Sequence, residues 1–318
     1  MYQEFKYDSI AALVEAAQQA GQPISALVLE QQAHQLEQTP QQVFDQMKET
    51  YQVMAQCIEP GCDPQLRSTS GLTGGSAFLM RKAVEEGKTL TGSVLGGALY
   101  RALAVSELNA AMGRVVAAPT AGSCGILPAV LLTMQQEKGC TEKECVMALF
   151  TASAVGMVIA TNASVAGAQG GCQAECGSAA AMAAAALVEL AGGTPEMVGH
   201  AVAIALKNIL GLVCDPVAGL VEIPCIKRNA AGAAGAFVAA ELALAGIPSA
   251  IPADETIWAM KKVGDAMSTS LKETAEGGLA ITPTGLKLYE QVFGRAPGDG
   301  CPGCTGCGSS SCGQAHNS

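Results

Sequence analysis

Two cysteines bracket two prolines and two carboxylates in the stretch CDPVAGLVEIPC, residues 214–225. Three more cysteines stand beside comparable helix breakers: Cys124 in APTAGSCGILP, and Cys172 and Cys176 in GAQGGCQAECG. Thiols at such turns suit metal binding or nucleophilic chemistry, because glycine and proline leave backbone N–H groups free to face negative sulfur. A buried cysteine can equally be a small hydrophobe, which is the reading for Cys57, Cys62, Cys140 and Cys145. The helix breakers around Cys172, Cys214 and Cys225 weigh against that reading there. Zinc favours compact cysteine pairs, a spacing that the C-terminal Cys301, Cys304, Cys307 and Cys312 fit. Widely separated cysteines on rigid helix ends better suit a bulky iron–sulfur cluster, whose ligands need not be local in sequence. With three ligands fixed, one iron stays open.

Such turns need rigid elements around them. Thr39 before Pro40, Thr141 with Glu144, and Thr194 before Pro195 are helix N-cap signals. Apolar residues recur at helical spacing in Ile10, Leu13 and Val14 and again in Val43, Met47, Tyr51 and Met54. Alternating β-branched segments are almost absent beyond Val115 and Val116, so the expected fold is all-α. Segments 177–193, 201–213 and 229–246 are so rich in alanine and glycine that their helices can approach closely, and they read as buried. With six Phe, five Tyr and one Trp, the core must rest on many small contacts. Three regions emerge: an amphipathic N-terminal part (1–65), a helical body (66–293) carrying the candidate chemistry, and a tail (294–318). The tail is dominated by Gly, Ser, Pro and Cys and cannot fold by burial on its own.

The net charge of −10, with 18 scattered lysines and arginines, argues against a nucleic-acid partner. The start MYQEFKYDSI lacks the pattern of a secretory leader, so a cytoplasmic location and reduced thiols are expected for the thirteen cysteines. Val146 to Gly171 carries no charge, but its polar residues and lack of basic flanks argue against a membrane span.

Four blocks then converge: RSTSGLTGG (67–75), NAAMGRVVAAPTAGSCGILP (109–128), ATNASVAGAQGGCQAECGSA (160–179) and LKNILGLVCDPVAGLVEIPCIKRNAAGAA (206–234). In content and order they resemble the alpha chain of bacterial iron–sulfur-dependent L-serine dehydratases, a likeness that reaches to about Gly294. The resemblance implies a [4Fe-4S] cluster held by Cys172, Cys214 and Cys225, with Cys124 and Cys176 outside the ligand set. It implies β-elimination of water from L-serine to pyruvate and ammonia, with the open iron as Lewis acid on the β-hydroxyl. It also implies a separate β subunit bearing an SSSHT-like segment absent here, and a C-terminal cysteine, one of Cys301, Cys304, Cys307 and Cys312, as removable fourth ligand. Ser76 departs from the family's usual aspartate, and the four-cysteine tail exceeds the usual C-terminus.

For the substrate, the loop of Ser68, Thr69, Ser70, Thr73, Gly74 and Gly75 offers hydroxyls and backbone N–H groups to a carboxylate. Thr120, Gly122 and Ser123 form a similar loop. Lys227, Arg228 and Asn229, directly after Cys225, can bring positive charge and an amide to the centre. Lys227, Ser70 and Thr73 are the candidate catalytic groups. His34, His200 and His316 accompany no cysteine motif in the body, so a histidine base is not expected from it. Asp215 and Glu222 read as solvated or capping residues. Competing readings are a pyridoxal-phosphate lyase, an L-cysteine desulfidase on the same type of cluster, and a non-catalytic iron–sulfur scaffold.

Overall fold

The computed structural model describes residues 7–297. Fourteen α-helices follow one another: α1 (Ile10–Ala20), α2 (Ile24–Gln35), α3 (Pro40–Gln56), α4 (Ile58–Gly61), α5 (Ser76–Glu85), α6 (Gly92–Ala110), α7 (Ile126–Lys138), α8 (Glu142–Asn162), α9 (Gly167–Gly170), α10 (Ser178–Leu190), α11 (Pro195–Lys207), α12 (Cys225–Leu244), α13 (Ala253–Ala266) and α14 (Pro283–Phe293). Among the described residues there is no strand, only an isolated bridge between Cys214 and Lys272. The all-α expectation holds.

The cap signals do what their chemistry dictates. The Thr39 and Thr141 hydroxyls accept the N–H of Gln42 and Glu144, and those two side chains reach back to the cap backbone, closing reciprocal capping boxes on α3 and α8. Thr194 caps α11 ahead of Pro195 in the same way, without the reciprocal bond.

Helix α10 is the axle of the fold, packed against α7, α8, α11 and α12. Every residue from Ser178 to Val188 is buried, a run of mostly alanine that shows no polar face to anything. Alanine carries little side-chain bulk or entropy, so four neighbours can crowd one helix at short interaxial distance. Helix α8 is long and apolar enough to cross a membrane, but 67% of its most apolar window is buried inside the fold. The charge-free stretch also does not stay helical: α8 ends at Asn162, and a loop leads into the single turn α9.

The change of composition near residue 65 is not a gap in the core. Ile10, Leu13, Ile24, Val28 and Tyr51 belong to the same buried cluster as α8, α10 and α12. The N-terminal helices thereby join the bundle, α1 packing against α11, and α2 and α3 against α8. Cys301, Cys304, Cys307, Cys312 and His316 lie outside the described residues.

Candidate active site

Three chain segments bring the cysteines together. Cys172 follows Gly171 and enters a π-helical turn, Gln173–Gly177, that runs straight into α10. Cys214 sits in an extended stretch pinned on both sides, its N–H to Leu271 O at 2.9 Å and its carbonyl taking the Glu273 N–H at 2.8 Å. Cys225 opens α12 directly after the cis Ile223–Pro224 peptide. Cys172 and Cys214 are buried and Cys225 is half-buried.

Burial pushes the Cys214 thiol well up and that of Cys225 up to about 12, and in each case a charge on Cys172 adds to the effect. Cys225 acts on Cys214 as well, so the three thiols are electrostatic neighbours. Cys172 and Cys176 share a thiol hydrogen bond at an Sγ–Sγ distance of 3.4 Å. That bond holds Cys172 below the ordinary thiol range and, with burial, Cys176 well above it. Among the described residues no three thiol, imidazole or carboxylate groups converge closely enough to hold a single metal ion. Cys172, Cys214 and Cys225, drawn from three elements, are the thiols here that could together hold a sulfur-bridged cluster. Cys57, Cys62, Cys124 and Cys145 are buried free thiols, and Cys140 is half-buried.

The polar residues around this centre are bound almost entirely to one another. Arg228 donates from Nη1 to Val213 O at 2.8 Å and sets Nη2 2.9 Å from Asp215 Oδ1, an ion pair off the ideal hydrogen-bond line. Asp215 Oδ2 accepts the Leu279 N–H at 2.8 Å. Asn229, 1% exposed, takes the Gly125 N–H on Oδ1 and donates from Nδ2 to Gly122 O and Cys225 O. It latches the Cys225 helix to the 120–125 loop. With all three of these bonds made, Arg228 and Asn229 are scaffold rather than free hands for a substrate. Lys227 points away: its side chain is exposed on the first turn of α12.

The 68–75 loop is equally self-contained. Ser70 Oγ donates to Glu222 Oε1 at 2.8 Å, and Thr73 Oγ1 donates to Glu222 Oε2 at 2.6 Å. Since its proton goes to Glu222, Ser70 accepts from the Ser68 hydroxyl at 3.1 Å and from the Leu72 N–H at 3.1 Å. Ser68 in turn accepts the Thr73 N–H at 3.2 Å, and the Thr69 N–H goes to Ala110 O at 3.1 Å. Gly74 has φ 140°, and a Cβ there would collide with the Leu66 carbonyl, so only glycine closes the loop. Buried Glu107 takes the Ser76 and Ala77 N–H groups at the start of α5. The Ser70, Gly74 and Gly75 N–H groups carry no protein acceptor among the described residues. The donors expected of the hydroxyls are thus withdrawn, and the backbone donors remain.

Asp215 and Glu222 are therefore corrected. They are 3% and 6% exposed and knit distant segments together instead of facing solvent, although Asp215 does cap a backbone N–H. Glu175 went unnoticed. It is the sole charged residue between Glu144 and Glu189, and that isolation was the available signal. Its Oε1 accepts the Thr120 hydroxyl at 2.8 Å, the Thr120 and Ser123 hydroxyls lie 3.1 Å apart, and burial pushes its carboxyl up. His200 Nδ1 accepts the Ser249 N–H at 3.3 Å, remote from the cysteines in its bonding, and His34 belongs to α2.

The family model of the serine dehydratase alpha chain matches residues 19–280, spanning every segment of this centre. The chain belongs to the serine dehydratase alpha chain family. It is 48% identical over 292 residues to the probable L-serine dehydratase alpha chain of Bacillus subtilis, covering 92% of this chain and 97% of that one. With the L-serine dehydratase alpha chain of Peptoniphilus asaccharolyticus it shares 42% identity over 276 residues, 87% of this chain and 94% of the other. With L-serine dehydratase 2 of Escherichia coli it shares 39% over 290 residues, 87% of this chain but 62% of the relative. These two alpha chains match it nearly end to end, whereas the last carries substantial further length.

Proposed function

We propose that this chain is the alpha chain of an iron–sulfur-dependent L-serine dehydratase, a lyase that eliminates water from L-serine to give pyruvate and ammonia. The observation that carries the reading is that Cys172, Cys214 and Cys225, from three separate elements, are electrostatic neighbours within a chain whose family is the serine dehydratase alpha chain. These three residues would hold a [4Fe-4S] cluster. When bound, the cluster supplies a Lewis-acidic iron that makes the β-hydroxyl a better leaving group.

The chain's own residues prepare that setting. Arg228, through Val213 O and Asp215, ties the Cys225 helix to the segment around Cys214, and Asn229 ties the same helix to the 120–125 loop, so the sulfurs would be positioned for a cluster by the chain itself. Glu222, holding Ser70 and Thr73, freezes the 68–75 loop, whose free Gly74 and Gly75 N–H groups are available to a substrate carboxylate. None of the groups bonded around the centre is a histidine. The extra length of the Escherichia coli relative supports a separate β chain as partner, completing the site in the cytoplasm and supplying the proton-transfer group. A tail cysteine, from Cys301, Cys304, Cys307 and Cys312, is proposed as a removable fourth ligand.

The experiment is anaerobic purification with iron and acid-labile sulfide assays, followed by pyruvate formation from L-serine with and without the β chain. Iron and sulfide near four each, with serine turnover only in the complex, are expected from a [4Fe-4S] enzyme of two chains. Active protein free of iron ends the proposal, and faster turnover of L-cysteine than of L-serine redirects it to sulfide elimination.

A further inference from the structure

Around the cysteine centre Asn229, Ser68 and Ser70 are hydrogen-bonded within the protein, and Arg228 and Asp215 are paired with each other. Glu175 keeps one oxygen without such a partner. Its Oε1 accepts from Thr120, while Oε2 has no protein donor among the described residues. Two glycines make room for this carboxylate. A Cβ at Gly122 would lie 3.0 and 3.1 Å from its two oxygens, and one at Gly167 would lie 2.8 Å from Oε2 and 3.0 Å from Cys214 Sγ. The free oxygen and the Cys214 sulfur therefore border the same space above Gly167.

The charge that acts on Glu175 itself is of its own sign, that of exposed Glu273. The cation at this centre, Arg228, is already held by Asp215 and the Val213 carbonyl. A half-buried carboxylate with one oxygen unspent, beside a like charge, is completed by a cationic donor brought from outside. An α-amino acid brings one on the carbon next to its carboxylate.

We propose that Glu175 is a substrate-binding residue that receives the α-ammonium group through Oε2, selecting amino acids over the corresponding hydroxy and plain carboxylic acids. The proposal rests on the reading of the chain as a dehydratase alpha chain for its choice of substrate class. Glu175 is thus paired with the Gly74 and Gly75 N–H groups as the opposite-charge half of zwitterion recognition.

The test uses two ligands that cannot be dehydrated: L-alanine, which has the ammonium group, and propionate, which lacks it. Binding to the anaerobically reconstituted complex with its β chain is measured by calorimetry, alongside iron and sulfide content. Glu175→Gln is expected to weaken L-alanine at least about tenfold while leaving propionate unchanged, the loss of one charge-assisted bond. Gly122→Ala, which presses on both Glu175 oxygens and leaves every sulfur in place, is expected to give the same selective loss at smaller size and serves if the Gln variant loses its cluster. Unchanged L-alanine affinity in both variants, or equal weakening of the two ligands, overturns the proposal. Serine turnover by the parent complex scores the dehydratase reading separately, because the alanine–propionate comparison requires no elimination.

Discussion

Helix α10 and the π-helical turn that feeds it lie end to end in the chain, yet they are held by opposite means. From Ser178 to Val188 the helix is sealed by apolar contact with four neighbours and carries almost no polar group. From Cys172 to Gly177 every feature is directional: a thiol pair, a glutamate tied to Thr120, and Gln173 joining Met260 O to the Gly211 N–H. Packing tolerates approximate shape but resists added volume, whereas a polar lattice tolerates volume poorly matched elsewhere but not a missing partner. The π-turn marks the seam. It widens the helical register so that Cys172 and Glu175 leave the bundle axis as α10 enters it.

The sharpest way to break the comparison is at a sulfur. Cys225→Ala is expected to abolish serine turnover and drop iron content, while chemical denaturation of the metal-free chain moves by no more than about 1 kcal/mol. A large loss of stability without metal would mean that Cys225 is packing, like the alanines of α10. Next comes Asp215→Ala, which leaves the largely buried Arg228 without its carboxylate and the Leu279 N–H without its acceptor. A cost near about 3 kcal/mol is expected in urea denaturation, the lower end for breaking a buried pair because Arg228 keeps 17% side-chain exposure. Ala184→Leu probes the other side. It adds three carbons at a fully buried site on α10 and is expected to cost about 1–3 kcal/mol while iron binding survives in the folded fraction.

The same division explains what could be read in advance. Helix starts at Thr39, Thr141 and Thr194 were legible because a cap and its partner lie three residues apart. The burial of α10 was legible because composition alone decides it. The carboxylates were not. Glu222 meets Ser70 across 152 residues, Asp215 meets Leu279 across 64, and Glu175 meets Thr120 across 55. An isolated Asp or Glu in a loop looks the same whether it faces water or a hydroxyl from elsewhere, and only the fold chooses. The hydroxyl loop misled for a related reason: Ser70 and Thr73 are donors by type, but Glu222 had already claimed their protons. Lys227 and Arg228 are neighbours in sequence, and a turn of helix sends one to solvent and the other inward.

The smallest expected effect concerns thiols that serve packing alone. Burial pushes Cys62 and Cys145 up to about 11 from an ordinary value of 9.0, so the folded chain keeps their protons where the unfolded chain has begun to lose them. The unfolded state then binds fewer protons than the native state, and by linkage stability falls as pH rises between those values. Below about pH 9 both states are protonated and the contribution is complete; above about 11 it is gone. Thermal midpoints of the metal-free chain should therefore be level from neutral pH to about 8.5 and decline through about 11. Cys145→Ala, at a position with no exposure, should lower the plateau slightly and flatten the decline. A slope untouched by that substitution would assign the alkaline loss to other groups and leave Cys145 a hydrophobe at every pH.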